Sequence, residues 1–368
     1  MKKLGFGLMR LPLLNADDAG SIDLETTKKM VDAFLERGFT YFDTAWMYCG
    51  FKSEDAVKVC LTDRHPRDSF TLASKLHSNF FDTLEDRDRI FQQQRRKTGM
   101  EYFDYYLLHG IGEDSYGKYE RLDCFDWLLE KKARGLVRHA GFSFHAGPAL
   151  LDRILTSHPE MEFVQLQLNY LDWESETVQS RACYETAVKH GKQVIVMEPV
   201  KGGTLAKLPP AAEALLKGHA PEASLPSWAI RFAASLPGVM MVLSGMSSME
   251  QLLDNTSFMG DPAPLTERER DLLAQAADVI NGQIAVPCTG CAYCTEGCPM
   301  HIAIPQYFAL YNDQTRRPDE RNRDRYERLA ASAGKPSDCI GCGQCEGVCP
   351  QHLPIIRQLR AAEECLAR

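Results

Sequence analysis

Eight of the thirteen cysteines fall into two runs of identical spacing: Cys288, Cys291, Cys294 and Cys298, then Cys339, Cys342, Cys345 and Cys349. A proline, Pro299 or Pro350, closes each run. Three thiolates evenly spaced on a tight loop can wrap three corners of a cubane [4Fe-4S] cluster, and small residues such as Gly341 and Gly343 let backbone N–H groups approach the sulfurs. Zinc also uses paired Cys-x2-Cys, but it has no need of a third evenly spaced cysteine or a trailing Cys-Pro. The runs therefore predict two [4Fe-4S] clusters. The residue before a proline is biased towards extended backbone, which leads Cys298 and Cys349 away from their own first three thiols. Fourth cysteines of such runs serve the neighbouring cluster. One cluster is assigned to Cys288, Cys291, Cys294 and Cys349, the other to Cys339, Cys342, Cys345 and Cys298. Cys49, Cys60, Cys124, Cys183 and Cys365 are scattered and belong to neither group.

A second set of candidate residues depends on the elements that carry it. Short β-branched or aromatic runs at 4–8, 40–43, 70–74, 104–108, 137–141, 163–166, 193–197 and 239–243 alternate with helical patterns. Met30, Val31, Phe34 and Leu35 recur at helical spacing before Gly38. Thr266 and Glu269 form a capping-box pattern ahead of Leu272, Leu273, Ala276, Val279 and Ile280. Eight βα units over about 260 residues match a closed (β/α)8 TIM barrel. A doubly wound open sheet is the other arrangement, but no GxGxxG follows the first strand. Asp43, Tyr48, Lys75 and His109 stand at or just beyond the C-terminal ends of the second, third and fourth strands, where this architecture places chemistry. Each alone has an ordinary explanation as a cap, a packed ring or a core histidine; four on one rim do not. The texture changes near residue 282, and the predicted domains are 1–281 for the barrel and 282–368 for a small, mainly α-helical ferredoxin-like domain.

Composition narrows the class of partner. The chain has 368 residues, 44% hydrophobic and 25% charged, with 50 acidic against 42 basic residues and a net charge of −8. That balance argues against nucleic acid or an anionic membrane as a general partner. Residues 313–328 carry Arg316, Arg317, Arg321, Arg323 and Arg325, but Asp313, Asp319, Glu320, Asp324 and Glu327 interleave with them, so the run reads as a solvated helix face. The N-terminal MKKLGFGLMRLP begins like a signal peptide until Arg10 interrupts it. The chain is read as soluble and cytoplasmic, where clustered thiols indicate metal ligation rather than disulfides.

FDTAWMY, LASK and DYYLLH resemble the active-site segments of the aldo-keto reductases over residues 1–280, and the whole chain resembles the ferredoxin-tailed members of that family. The resemblance implies a catalytic tetrad of Asp43, Tyr48, Lys75 and His109. A tyrosine near pKa 10 is a poor acid at neutral pH. In the implied scheme Lys75 lowers that pKa, Asp43 keeps the lysine charged and oriented, and His109 orients the carbonyl and stabilises the developing oxyanion. On the cofactor side, Ser143 and Gln165 match the family's nicotinamide-binding positions, but Phe144 replaces the usual Asn and Met197 the stacking aromatic. Gly245 and Met246 stand where the family has Lys-Ser, Gln251 replaces an Arg, and Asn255 is kept. Gly202, Gly203, Ser244 and Gly245 offer backbone N–H groups to a pyrophosphate. No cation is evident for the 2′-phosphate of NADP, with Lys201 and Lys207 as substitutes.

The function implied is an oxidoreductase that interconverts a carbonyl and an alcohol with NAD(P)H, its tail exchanging electrons with a ferredoxin-type partner or with the site. Hydride carries two electrons and each cluster one, so a flavin is the alternative cofactor. A non-enzymatic electron carrier with the barrel as scaffold, and an enzyme with structural clusters, are the other readings. Trp46, Met47, Phe51, Phe80, Phe81 and Trp173 suggest an aromatic-lined substrate pocket.

Overall fold

A computed structural model describes residues 2–16, 18–176, 178–316 and 319–367. Eight parallel strands close into a barrel in sequence order. They are β1 (Leu4–Gly7), β2 (Tyr41–Asp43), β3 (Thr71–His77), β4 (Phe103–Ile111), β5 (Val137–Phe144), β6 (Phe163–Gln167), β7 (Gln193–Met197) and β8 (Val239–Gly245). β1 closes the ring by pairing with both β2 and β8. All eight predicted strands are present, but β3, β4, β5, β6 and β8 run beyond their predicted ends. Lys75, His109, Ser143, Ser244 and Gly245 consequently lie on strands rather than after them. Strand ends are poorly marked in sequence because the final residues here are polar site residues rather than β-branched ones.

Helices cover the sheet as the periodicity requires. The helix Leu24–Glu36 starts where Asp23 accepts from Thr26 N, buries Met30, Val31 and Phe34, and ends before Gly38 at φ +77°. Inside the barrel, Tyr41, Ala73, Tyr105, Leu107, Phe163, Ile195, Met241 and Leu243 form one buried cluster. Inward side chains thus fill the barrel below its C-terminal rim, so the rim is where a ligand can enter.

The chain forms two compact units. One comprises Met1–Glu174, Gln179–Pro199 and Pro226–Thr266; the other comprises Ser175–Val178, Val200–Leu225 and Glu267–Arg368. The cysteine-bearing part of the second unit is helical, as expected, with Ile304–Arg316 and Arg321–Ser332 between the two runs and Ile355–Leu366 after them. Its core joins Val286, Ile302, Tyr307, Phe308, Leu353 and Leu359. The duplication seen in the spacing extends to the backbone. Gly290 and Gly341, Ala292 and Gly343, and His301 and His352 pair off at positive φ, at equivalent places in the two runs.

The charged run is partly described; Arg317 lies outside the described residues. Arg321 pairs with Asp319 at 2.6 Å, Arg323 with Glu327 at 3.3 Å and Arg325 with Asp313 at 3.2 Å. Among the described residues, no helix is long and apolar enough to cross a membrane.

Candidate active site and cysteine recesses

The four rim residues meet at the C-terminal ends of β2, β3 and β4. Lys75 is fully buried, and its Nζ donates to Asp43 Oδ1 at 2.5 Å and to the Thr44 carbonyl at 2.8 Å. The same ammonium lies 4.9 Å from the centroid of the Tyr48 ring. The Tyr48 and His109 rings meet edge-on at 5.9 Å, and His77 stands edge-on to His109 at 5.0 Å. Burial pushes Asp43 up and Lys75 down, each towards its neutral form, while their mutual attraction opposes both shifts. Burial also holds His109 well below the ordinary histidine range, helped by His77 and Lys75, so the imidazole is neutral at pH 7.

Tyr48 differs from the expectation. Burial, and then the Asp43 carboxylate, hold its phenol well above 10, and the cation that acts in the opposite direction is Arg10 rather than Lys75. The reason lies in the pairing: the charge of Lys75 is largely cancelled by Asp43 at 2.5 Å. Tyr48 therefore retains its proton at neutral pH. Arg10, read in the sequence only as an interruption, lies beside the end of β8. A Cβ on Gly245 would be 3.7 Å from Arg10 Cβ, and Ser247 Oγ donates to the Arg10 carbonyl at 2.8 Å.

Local backbone fixes two of these side chains. The β4–β5 register shifts between Leu108 and Ile111, with Gly110 at φ +69°. The Gly110 N–H donates to Ser143 Oγ at 2.7 Å. Such a bulge re-aims the adjacent side chain, here His109. After Tyr48 the chain passes through three left-handed residues, Cys49, Gly50 and Phe51, at φ +51°, +56° and +66°. A non-glycine residue there costs roughly 1–2 kcal/mol. Contacts across the turn hold it: Ser53 Oγ donates to the Leu8 carbonyl at 2.9 Å and pairs with Thr44 Oγ1 at 2.8 Å.

Behind Lys75 sits a buried polar network that the sequence reading missed. Glu54 Oε1 accepts from Ser74 Oγ and from Gln94 Nε2, both at 2.8 Å, and Gln94 Nε2 also reaches the Lys75 carbonyl at 2.9 Å. Burial raises Glu54 from its ordinary 4.5 to about 7. A carboxyl whose folded pKa is raised favours the folded state fully below about 4.5, and loses that contribution as pH rises through about 7. Wild-type protein is expected to lose up to about 3 kcal/mol between pH 5 and pH 8 through this group. Glu54→Gln should remove that slope, so its melting temperature gains on wild type at pH 8 relative to pH 5. Parallel melting curves for the two proteins at both pH values would refute the assignment.

The residues expected to contact the nucleotide divide between the units. In the barrel unit Ser143 stands opposite Gln165 in the β5–β6 register, and Gln165 is buried with its Oε1 lacking a hydrogen-bond partner among the described residues. A buried carboxamide oxygen left unmatched is suited to a ligand carboxamide, which makes the site compatible with nicotinamide. Asn255 Nδ2 donates to Ser244 Oγ at 2.9 Å. Met246 is buried, and Gln251 Oε1 accepts from Ser247 N at 2.8 Å, so neither presents a cation. Gly202 and Gly203 belong to the second unit, in the turn Lys201–Ala206, at φ +63° and +101°. A Cβ on Gly202 would lie 2.0 Å from the Thr289 carbonyl oxygen, whereas none of the described atoms approaches that position on Gly203. Lys201 is buried rather than presented to solvent, and its Nζ donates to Gln351 Oε1 at 3.0 Å.

Of the aromatic candidates, Trp46, Phe51 and Phe80 continue edge-on from the tetrad. Phe80 meets His77 at 5.8 Å and Phe51 at 5.5 Å, and Phe51 meets Trp46 at 6.2 Å. Phe81 is instead a core residue against Tyr119, and Trp173 packs on Tyr184 and Phe232.

In the second unit the cysteines gather around two recesses. One, of about 310 Å³, is lined by Cys288, Cys291, Cys294 and Cys349. The other, of about 320 Å³, is lined by Cys298, Cys339, Cys342 and Cys345. Each holds three sulfurs of one run and the fourth of the other. Among the described residues no three His, Cys, Asp or Glu side chains converge closely enough for a single metal ion. Four thiols spread round a cavity match a cubane better than a zinc ion. The isolated cysteines are different: burial pushes Cys60 and Cys124 up to about 11 and Cys183 up to about 12, which makes them unreactive.

This chain belongs to the aldo/keto reductase family, which it matches over residues 3–277, and it carries a 4Fe-4S dicluster domain over residues 287–353. It is an oxidoreductase. The uncharacterized oxidoreductase YqkF of Bacillus subtilis (strain 168) is 24% identical over 285 residues, covering 68% of this chain and 88% of that protein. Among solved structures, the holo form of aldo-keto reductase AKR11C1 from Bacillus halodurans superposes with a TM-score of 0.61 at 24% identity, over 74% of this chain and 91% of that one. An aldo-keto reductase from Klebsiella pneumoniae in complex with NADPH gives 0.59 at 17% identity, over 76% and 90%.

Proposed function

We propose that the barrel, of residues 1–281, reduces a small carbonyl compound, or oxidises the matching alcohol, with NAD(P)H, and that residues 282–368 form an electron-transfer domain. The observation that carries the reading is the Lys75–Asp43 pair at 2.5 Å beneath the Tyr48 ring, with His109 edge-on to that ring at 5.9 Å. Bound nicotinamide would supply or accept the hydride. Tyr48, protonated at neutral pH, donates a proton to the oxygen that becomes an alkoxide. Lys75 and Asp43 fix the electrostatics under the ring, and neutral His109 orients the carbonyl. Gln165 and Ser143 hold the carboxamide, while Ser244, Gly245, Gln251 and Asn255 serve the rest of the nucleotide. The edge-on series from His77 to Trp46 favours an apolar or aromatic substrate.

The two cysteine recesses would each hold a [4Fe-4S] cluster, which moves one electron at a time, and a ferredoxin-type protein is the proposed partner. The bound NADPH of the Klebsiella pneumoniae relative favours nicotinamide over flavin. An anaerobic assay of NADPH and NADH oxidation against a panel of aldehydes and ketones tests this reading. Without a cation at Gly245, Met246 or Gln251, the two cofactors should differ by less than about tenfold in kcat/KM, since a lost ionic contact to the 2′-phosphate removes the larger discrimination. Failure of both cofactors with every carbonyl would sink the proposal, and selectivity for NADPH of about a thousandfold would require a cation elsewhere.

A further inference from the structure

Identical cysteine spacing and repeated backbone angles make the two recesses similar inside, so a charge difference between them comes from what surrounds them. Neither recess has a charged residue in its lining, and Cys342, in the recess of Cys298, Cys339 and Cys345, is exposed. The other is flanked by the turn Lys201–Ala206, which follows β7 and belongs to the same compact unit. This turn meets two residues of that recess wall. Gly202 abuts Thr289, directly after Cys288, and the buried Lys201 donates to Gln351, two residues after Cys349, at 3.0 Å. Lys201 is 1% exposed and adopts a left-handed backbone at φ +48°, so its side chain is fixed in place by packing on both sides.

We propose that Lys201 is a redox-tuning residue of the cluster held by Cys288, Cys291, Cys294 and Cys349, raising its potential so that it is reduced in preference to its twin. The inference rests on the cluster assignment above. Reduction adds one electron, and hence one negative charge, to the contents of the recess; a fixed cation beside the wall favours that state. Burial keeps the interaction from being screened by salt. The wall of the second recess meets a carboxyl group instead, since Glu346 Oε1 accepts from Ile356 N at 2.9 Å, so the electron settles in the first.

Reductive titration of the full-length, cluster-loaded protein, followed by EPR, tests this. Two separate midpoint potentials are expected in wild type. Lys201→Gln should change the reduced-to-oxidised ratio of one cluster about tenfold at fixed potential, a downward shift of about 59 mV for one electron. The other cluster should not move, and Lys201→Arg should restore the wild-type value. The shifted signal should be the one that Cys349→Ser abolishes. Lys201→Met serves as a second neutral variant if Lys201→Gln loses iron. Unchanged potentials, or equal shifts of both clusters, with iron and sulfide contents complete, would overturn the role of Lys201 alone. Wild-type protein that fails to bind a full complement of iron and sulfide would overturn the cluster assignment itself.

Discussion

Tyr48→Phe should lower kcat for carbonyl reduction by about 10² or more, with little change in nicotinamide binding. The substitution removes one hydroxyl and keeps the ring that Lys75 approaches at 4.9 Å and His109 meets edge-on. Packing is preserved, so the loss isolates the proton. The expected split is a fall in kcat with the dissociation constant for NADPH, read by quenching of protein fluorescence, held within about threefold, since the hydroxyl contributes to the transition state rather than to cofactor binding. Near-normal turnover in the variant would remove Tyr48 from the role of acid. It would also favour the reading in which the barrel is a scaffold for an electron carrier.

Loss of a single fourth cysteine should damage the cluster that is distant in sequence. Cys298 lines the recess of Cys339, Cys342 and Cys345, and Cys349 lines that of Cys288, Cys291 and Cys294. The exchange is built by the backbone. His301 N donates to the Cys298 carbonyl and His352 N to the Cys349 carbonyl, both at 3.0 Å, and each histidine has a left-handed φ. These equivalent turns follow the two Cys-Pro steps. Ile304 lines both recesses, so the two sites share a wall. Cys298→Ser should therefore perturb the EPR and Mössbauer signals of one centre, and Cys349→Ser those of the other. Damage confined to the run that carries the substitution would establish local ligation and reverse the assignment.

Covalent spacing and short-range periodicity determined a large part of this protein. Thiols three residues apart remain close whatever the rest of the chain does, so the cysteine runs announced iron–sulfur ligation. The Cys-Pro steps also pointed to the arrangement in which the fourth cysteine of each run lines the recess of the other. Strands buried on both faces write themselves as continuous apolar runs, and eight of them with helices between them leave few topologies other than a barrel.

Tertiary structure decided the features set by contacts distant in sequence. His109 is aimed by a bulge whose Gly110 N–H is held by Ser143, on the next strand. Burial raises Glu54 to about 7 against the opposing hydrogen bonds from Ser74 and Gln94, 20 and 40 residues away. Lys75 does not depress the Tyr48 pKa, because pairing with Asp43 and the desolvation of a closed site outweigh a charge that sequence can only count. Lys201, a candidate for a nucleotide phosphate when only its position after the seventh strand was known, is buried against Gln351, 150 residues later. Which residues are candidates for handling protons and metals was legible because their types carry the chemistry. Their protonation, and the second destination of the β7 turn, were not, because both depend on how much water the finished fold excludes and on which distant atoms replace it.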